Sequence, residues 1–381
     1  MKSCSLLFLL GWIAFSSVIL PPVHAQKKQK QETITVPMQT DRWQFEENAV
    51  EFVEHQGVPA MKLGSQMGLV SLRDVTFTNG TIEYDVQPLT DPFAGIYFRR
   101  VDDQTSEYFY LRTARAGNLL VNDAVQYPPY VKGVLLWDMY DEYQGPADIR
   151  ANEWNHIKLV VSGQQMHAYV NDSLRLAIPF LEADTQSGGI AFGGESIVAN
   201  LIITPGATEG LPESPGVDLT NQDAHYLRAW TVGQPAPLPP GEELTLEDLP
   251  QAGSPSADLT EKISAERRGL VNLSREFGLS EARRYVWLQT TVRAEQAQEK
   301  VLQLGFSDEV WVFLNGKMLF VDKNLYTQSM RKYPNGRISL ENASFAVPLQ
   351  EGNNQLLIGV ANDFYGWGII ARWRDTEGLV P

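Results

Sequence analysis

The chain has 381 residues, a formal net charge of −15 at pH 7 and one cysteine, Cys4. That length allows two domains of ordinary size, each able to bury a core without covalent staples. The acidic balance opposes nucleic acid and anionic membranes as partners, and a lone cysteine excludes intrachain disulfides and cysteine metal clusters.

Residues 1–25 read as a signal peptide. Lys2 supplies the positive start, residues 6–20 an apolar stretch, Pro21-Pro22 a helix break, and Val23-His24-Ala25 a small-residue cleavage pattern. The apolar stretch is short for a bilayer span of ~20 residues. The expectation is a secreted, periplasmic or cell-surface protein with no membrane insertion after cleavage. Cleavage would remove the only thiol and, with Lys2, one positive charge. The basic run 26–31, QKKQKQ, reads as a solvated tether.

From Thr33 onward the pattern is short strands and turns. Residues 75–86 place Asn79-Gly80 between two β-rich runs, a hairpin signal. Residues 95–100 and 108–112 read as strands joined at Asp102-Asp103. Residues 154–162 and 165–170 form the next hairpin around Ser162-Gly163, and 188–192 and 197–204 close the set. Many short strands with frequent turns predict an all-β sandwich. The order NGTIEYDV, AGIYFRR, EYFYLR, WNHIKLVVSGQQMHAYVND, GGIAFGG, ANLIIT resembles a concanavalin A-like, laminin-G-type jelly roll over residues 33–205. It is also similar to the domain family linked to 3-keto-disaccharide hydrolysis, sharing a Gly-x-x-x-Arg strand (Gly95 to Arg99) and the pair Trp154-Asn155.

Residues 206–221, rich in Pro, Gly and acids, read as a linker. Residues 233–256 are loop-rich, and 259–268 offer a modest helical pattern. Residues 284–292 resume the strands. In 303–320, QLGFSDEVWVFLNGKMLF, alternation puts Val310, Val312 and Leu314 on one face and Trp311 and Phe313 on the other. Asn315-Gly316 suits a type I′ turn, and two apolar faces predict enclosure between two sheets. With 355–360 and 369–373, this order resembles a galactose-binding-like jelly roll over 222–381. The fold class predicted is therefore all-β, two β-sandwich (jelly-roll) domains. Both resemblances imply a glycan or polysaccharide partner.

Glu83 and Asp85, two apart on a strand, share a face as paired glycosidase carboxylates do. The laminarinase-like enzymes of this fold use a Glu-x-Asp-x-x-Glu strand, and here Gln87 and Pro88 occupy the place of the third acid. The same alternation makes Thr81, Glu83 and Asp85 a solvated outer face over the inward Ile82, Tyr84 and Val86. The stronger candidate set for ligand binding is Arg99, Tyr108, Tyr110, Arg112, Gln126, Tyr127 and Trp137. Parity puts Tyr97 with Arg99 on one strand, and Tyr108, Tyr110 and Arg112 together on the next, opposite Phe109 and Leu111 in the core. Gln126, Tyr127, Trp137 and Asp138 follow in a polar-aromatic connection. Aromatic faces and fixed donors suit sugars; cross-strand Tyr–Arg packing is the plainer reading of the same residues.

His55, His156, His167 and His225 show no metal-pair spacing. Asp322, Lys323 and Asn324 cluster at a hairpin end, where oxygen donors suit a structural calcium ion and turn chemistry suits the same residues; no other cofactor is implied. Trp367 in Tyr-Gly-Trp-Gly reads either as a stacking platform or as a plug closing the sandwich. The function expected is an exported carbohydrate-binding or surface-interaction protein without a complete catalytic constellation. One alternative is a sugar hydrolase or lyase resembling the 3-keto-disaccharide family, with Arg99, Tyr110, Arg112, Asp102, Asp103 and Glu107 as its residues. Another is a structural envelope protein that binds other proteins.

Overall fold

The computed structural model describes residues 32–64, 68–90, 92–250, 259–327 and 329–380; the leader, Cys4 and the basic run lie outside them. Among the described residues the α-helix Leu273–Phe277 is five residues long, and the rest of the architecture is antiparallel sheet. In the first half one sheet runs in the order Ser173–Ile178, Gln165–Val170, Asn155–Ser162, Gly80–Pro88, Ser196–Pro205, Val58–Leu63, Val50–His55, with Ile34–Thr35 added on Ser196–Pro205. The facing sheet runs Gln144–Gly145, Val125–Gln126, Glu107–Arg112, Phe93–Arg100, Gly189–Gly193, Val70–Leu72, Trp43–Gln44. Strand alternation fills the space between them: Ile82, Tyr84 and Val86 from one sheet meet Ile96, Phe98, Phe109 and Leu111 from the other in a single core.

The second half pairs a sheet of Glu261–Ser264, Ala229–Val232, Arg284–Ala294, Gly352–Asn362, Glu309–Leu314 and Lys317–Lys323 with one of Leu270–Asn272, Gly368–Trp373, Gln298–Ser307 and Ala343–Leu349. The hairpin forms as its sequence predicts, with Asn315 and Gly316 at φ 50° and 76°. Val310, Val312 and Leu314 enter the core between these two sheets. Trp311 and Phe313 correct the expectation of two-sheet enclosure. They join Tyr285, Trp287 and Leu357 on the sheet's outer face, beneath Leu238 and Leu244 from a strap of loop. Trp311 Nε1 reaches Glu243 Oε2 at 3.1 Å, which pins that strap. The helix expected over 259–268 is also corrected. Glu261–Ser264 is a strand paired with Ala229–Val232, because a ladder of backbone bonds outweighs a weak local preference.

The two sandwiches share a seam. Leu270, Ile338 and Ile370 of the second join the first sandwich's core. Arg268 bonds the carboxylates of Asp141 (3.0 Å) and Glu142 (2.8 Å) and the carbonyl of Met139 (3.2 Å), and Arg275 donates to the Glu182 carbonyl at 2.6 Å. Segment 206–221 is itself held: Gly216 N–H bonds Pro179 O at 2.9 Å, and Arg267 donates to Gly216 O at 2.9 Å. Cleavage within 206–221 should therefore yield fragments that co-elute in gel filtration. Separate elution in native buffer would show that the seam does not hold. Phe109→Ala, emptying a fully buried ring site, should cost about 3–5 kcal/mol in denaturant unfolding.

Candidate functional site: a cleft where the sandwiches meet

Strands Phe93–Arg100 and Glu107–Arg112 pair with Phe93 opposite Arg112, Gly95 opposite Tyr110, and Tyr97 opposite Tyr108. Phe109 and Leu111 point into the core, so Tyr108, Tyr110 and Arg112 line the other side of the sheet. Gly95 is required there: a Cβ would lie 2.6 Å from Phe109 O and from the Tyr108 ring. Tyr97 and Tyr108 stack with centroids 3.9 Å apart, and Tyr108 meets Tyr110 at 5.2 Å. Burial pushes the Tyr97 phenol up to about 12 and raises Tyr108 and Tyr110 as well. All three hydroxyls stay protonated at neutral pH.

A fixed polar chain runs beside these rings. Arg112 Nη2 donates to Tyr110 Oη (2.9 Å) and Gln126 Oε1 (2.7 Å); Tyr110 Oη donates to Gln126 Oε1 (2.7 Å); Gln126 Nε2 donates to Trp137 O (2.6 Å). The Arg112 guanidinium lies 5.2 Å from the ring centroids of both Phe93 and Tyr110. Trp137 meets Tyr326 edge-on at 4.6 Å, and Phe364 and Tyr365 at 6.4 and 6.1 Å. Leu135 and these residues other than Gln126 line a cavity of about 210 Å³, and none of the eight lining side chains is a carboxylate. Leu135 also borders a larger hollow of about 590 Å³ over Tyr97, Arg100, Tyr130 and Ser71, so the trough continues along the same sheet.

Of the seven predicted binding residues, Tyr110, Arg112, Gln126 and Trp137 meet at this cleft, and Tyr108 packs on its flank. Arg99 and Tyr127 do not. A shift in register between Gly189 and Ala191 accompanies φ 46° at Arg99, which turns its side chain inward. There it donates to Thr78 O (2.8 Å), Thr185 O (3.1 Å) and Asn79 Oδ1 (2.9 Å). Tyr127 lies in the core, its hydroxyl bonded to the buried Glu107 carboxylate. Burial pushes that carboxyl up, while Tyr127, Thr185 and Arg99 pull it back. Glu107 thus serves an interior network, and Asp102 and Asp103 sit on an exposed turn. Asp85 lies on the opposite sheet, bonded to His156 Nδ1 (2.9 Å) and Asn200 Nδ2 (2.7 Å). Trp367 is the plug: it is buried and donates to Val360 O at 3.2 Å. The oxygens offered for calcium have protein partners, since Asp322 pairs with Lys332 and Asn324 Oδ1 accepts Lys332 N–H at 2.8 Å. Phe93, Tyr326, Phe364 and Tyr365 were missed. Phe93 was findable as the residue facing Arg112; the others come from the second sandwich, where no local pattern marks them.

Two buried carboxyls set the loop that carries Phe364 and Tyr365. Asp308 Oδ2 accepts the N–H groups of Asp363 (2.6 Å) and Phe364 (2.7 Å), and Asp138 accepts Gly366 N–H at 3.1 and 3.2 Å. Gly366 allows this approach, because a Cβ there would fall 2.3 Å from Asp138 Oδ1. Ser307 Oγ stands between the pair, 3.4 Å from Asp138 and 3.1 Å from Asp308. One hydroxyl proton serves only one of those contacts, so the two carboxyls face each other with a single donor between them. Burial accordingly pushes Asp138 up to about 7 and raises Asp308 as well. A carboxyl that binds its proton more tightly when folded contributes stability below the ordinary carboxylate range. That stability is lost as pH rises through about 7. The melting temperature should fall across this interval, and Asp138→Asn should flatten the fall; an unchanged slope in the variant would remove Asp138 as its cause.

No family model and no curated protein matches the chain. Among solved structures, 43% of it aligns with 96% of the carbohydrate-binding module CBM66 from Bacillus subtilis, at 12% identity and a TM-score of 0.33. For the galectin LEC-6 of Caenorhabditis elegans the shares are 42% and 99%, with 13% identity and a TM-score of 0.27. For domain 4 of AbnA, an extracellular arabinanase from Geobacillus stearothermophilus in complex with arabinotriose, they are 47% and 86%, with 13% identity and a TM-score of 0.30.

Proposed function

We propose that this chain is an exported carbohydrate-binding protein whose ligand sits in the cleft between the sandwiches. One observation carries the reading: rings from both halves, Trp137, Tyr326, Phe364 and Tyr365, surround a wall on which Tyr110, Arg112 and Gln126 are already fixed by mutual hydrogen bonds. A sugar ring offers apolar C–H faces to aromatics and hydroxyls to such donors and acceptors, so both parts of its chemistry find a partner. Preordered side chains also lower the entropy lost on binding. Of the carboxylates named for a hydrolase or lyase, Asp102 and Glu107 line neither hollow, and Asp103 borders the larger one, where it is paired with Arg100; none lines the aromatic cavity, which favours binding over catalysis there.

A glycan array probed with the purified protein tests this directly, and no binding across a broad panel would sink the reading. With a bound glycan in hand, Tyr365→Ala should weaken affinity by about 0.5–1.5 kcal/mol through lost aromatic contact. Tyr365 is exposed, so the melt of that variant should not move. Export is part of the proposal, and N-terminal sequencing of protein recovered from a secreting host should begin at Gln26. An intact Met1 on exported protein would refute the leader.

A further inference from the structure

Resting on the glycan reading of the cleft, we infer that its preferred ligand is an anionic sugar, whose charged group is held between Arg112 and Arg337. Arg337 is 2% exposed, and its guanidinium lies 5.1 Å from the Trp137 ring centroid. Its Nε is buried with no partner, and none of its guanidinium nitrogens makes a hydrogen bond or ion pair among the described residues. Arg112 Nε is likewise buried without a hydrogen-bond partner. Arg112, on the cavity wall, and Asp123 are close enough for their charges to act on Arg337.

The local charge count leaves the site positive within an acidic protein. Asp123 is the carboxylate beside Arg112. It pairs with Arg115 at 2.9 Å and stands 3.9 Å from Arg112 Nε, so two guanidinium groups share it and Arg337 feels its charge only from farther off. Asp138, whose carboxyl also feels the charge of Arg337, is buried beside Ser307 and accepts the Gly366 N–H, and burial pushes it up to about 7. Farther out, Asp322 pairs with Lys332, and Glu309 with Arg283 and Lys323. A guanidinium drawn out of water without a hydrogen-bonded counter-charge is costly, and an incoming carboxylate or sulfate removes that cost. Arginine's planar fork suits both anions. Stacking on Trp137, Phe93 and Tyr110 holds the two cations in place beside the cavity.

Three oligosaccharide probes of equal length separate the cases by calorimetry: oligogalacturonate for a carboxylate, a sulfated galactan oligomer for a sulfate ester, and a neutral galactan oligomer. The expected result is affinity for one acidic probe at least about tenfold above the neutral one. The acidic affinity should also weaken as sodium chloride rises, while neutral binding does not. Arg337→Gln should abolish the preference and leave any neutral binding in place, and Arg337→Lys should restore part of it. A thermal melt accompanies each variant; if Arg337→Gln does not fold, the salt dependence of the unaltered protein decides. Neutral and acidic probes binding alike, or acidic binding indifferent to salt, would overturn the inference while leaving the glycan reading intact. Failure of all three probes and of the wider array would overturn both.

Discussion

The cleft exists because the seam between the sandwiches is partly a continuation of the first core. Leu270, Ile338 and Ile370 are buried there with residues of the first half, and that shared burial fixes where the second sandwich's loops fall. Around this apolar centre Arg268 and Arg275 each satisfy several acceptors, so the charges taken into the seam are not left bare. From that placement Tyr326, Phe364 and Tyr365 arrive against Trp137. Neither half holds a complete site: the donors come from Glu107–Arg112 and its neighbours, and much of the aromatic enclosure comes from the second sandwich.

How much of this was legible follows from which features repeat. In Glu-Tyr-Phe-Tyr-Leu-Arg the period of two separates Phe109 and Leu111 from Tyr108, Tyr110 and Arg112, and the structure keeps that separation. The same rule fails one strand earlier. The register shift beside Gly189 and the positive φ at Arg99 move one side chain to the other face, and nothing in Phe-Arg-Arg-Val announces it. Tyr127 fails for the opposite reason. Alternation holds there, sending Val125 and Tyr127 to the core and Gln126 to the cleft, so two neighbours grouped as one polar-aromatic connection lie on opposite faces.

The hairpin at 309–323 shows a different limit. Two apolar faces did require two covers, and two covers are present. One is a sheet, signalled by alternating strands; the other is a loop whose Leu238 and Leu244 follow no period. The need for burial was legible and the identity of the cover was not. The gathering of Tyr326, Phe364 and Trp137 is illegible in the same sense, since residues 189 and 227 positions apart meet only through the seam.

The buried carboxyl pair explains why the seam is not purely apolar. The turn at 362–367 presents three backbone N–H groups, from Asp363, Phe364 and Gly366, toward the interior, where no ladder or helix accepts them. Apolar residues at 138 and 308 would fill the space but leave those donors without acceptors, each costing about 1–3 kcal/mol. Two carboxyls, one from each sandwich, supply the acceptors, and the Ser307 hydroxyl stands between them. The arrangement has a consequence for the cleft. The loop that carries Phe364 and Tyr365 is fastened at once to both halves, so the aromatic side of the site is only as well ordered as the seam beneath it.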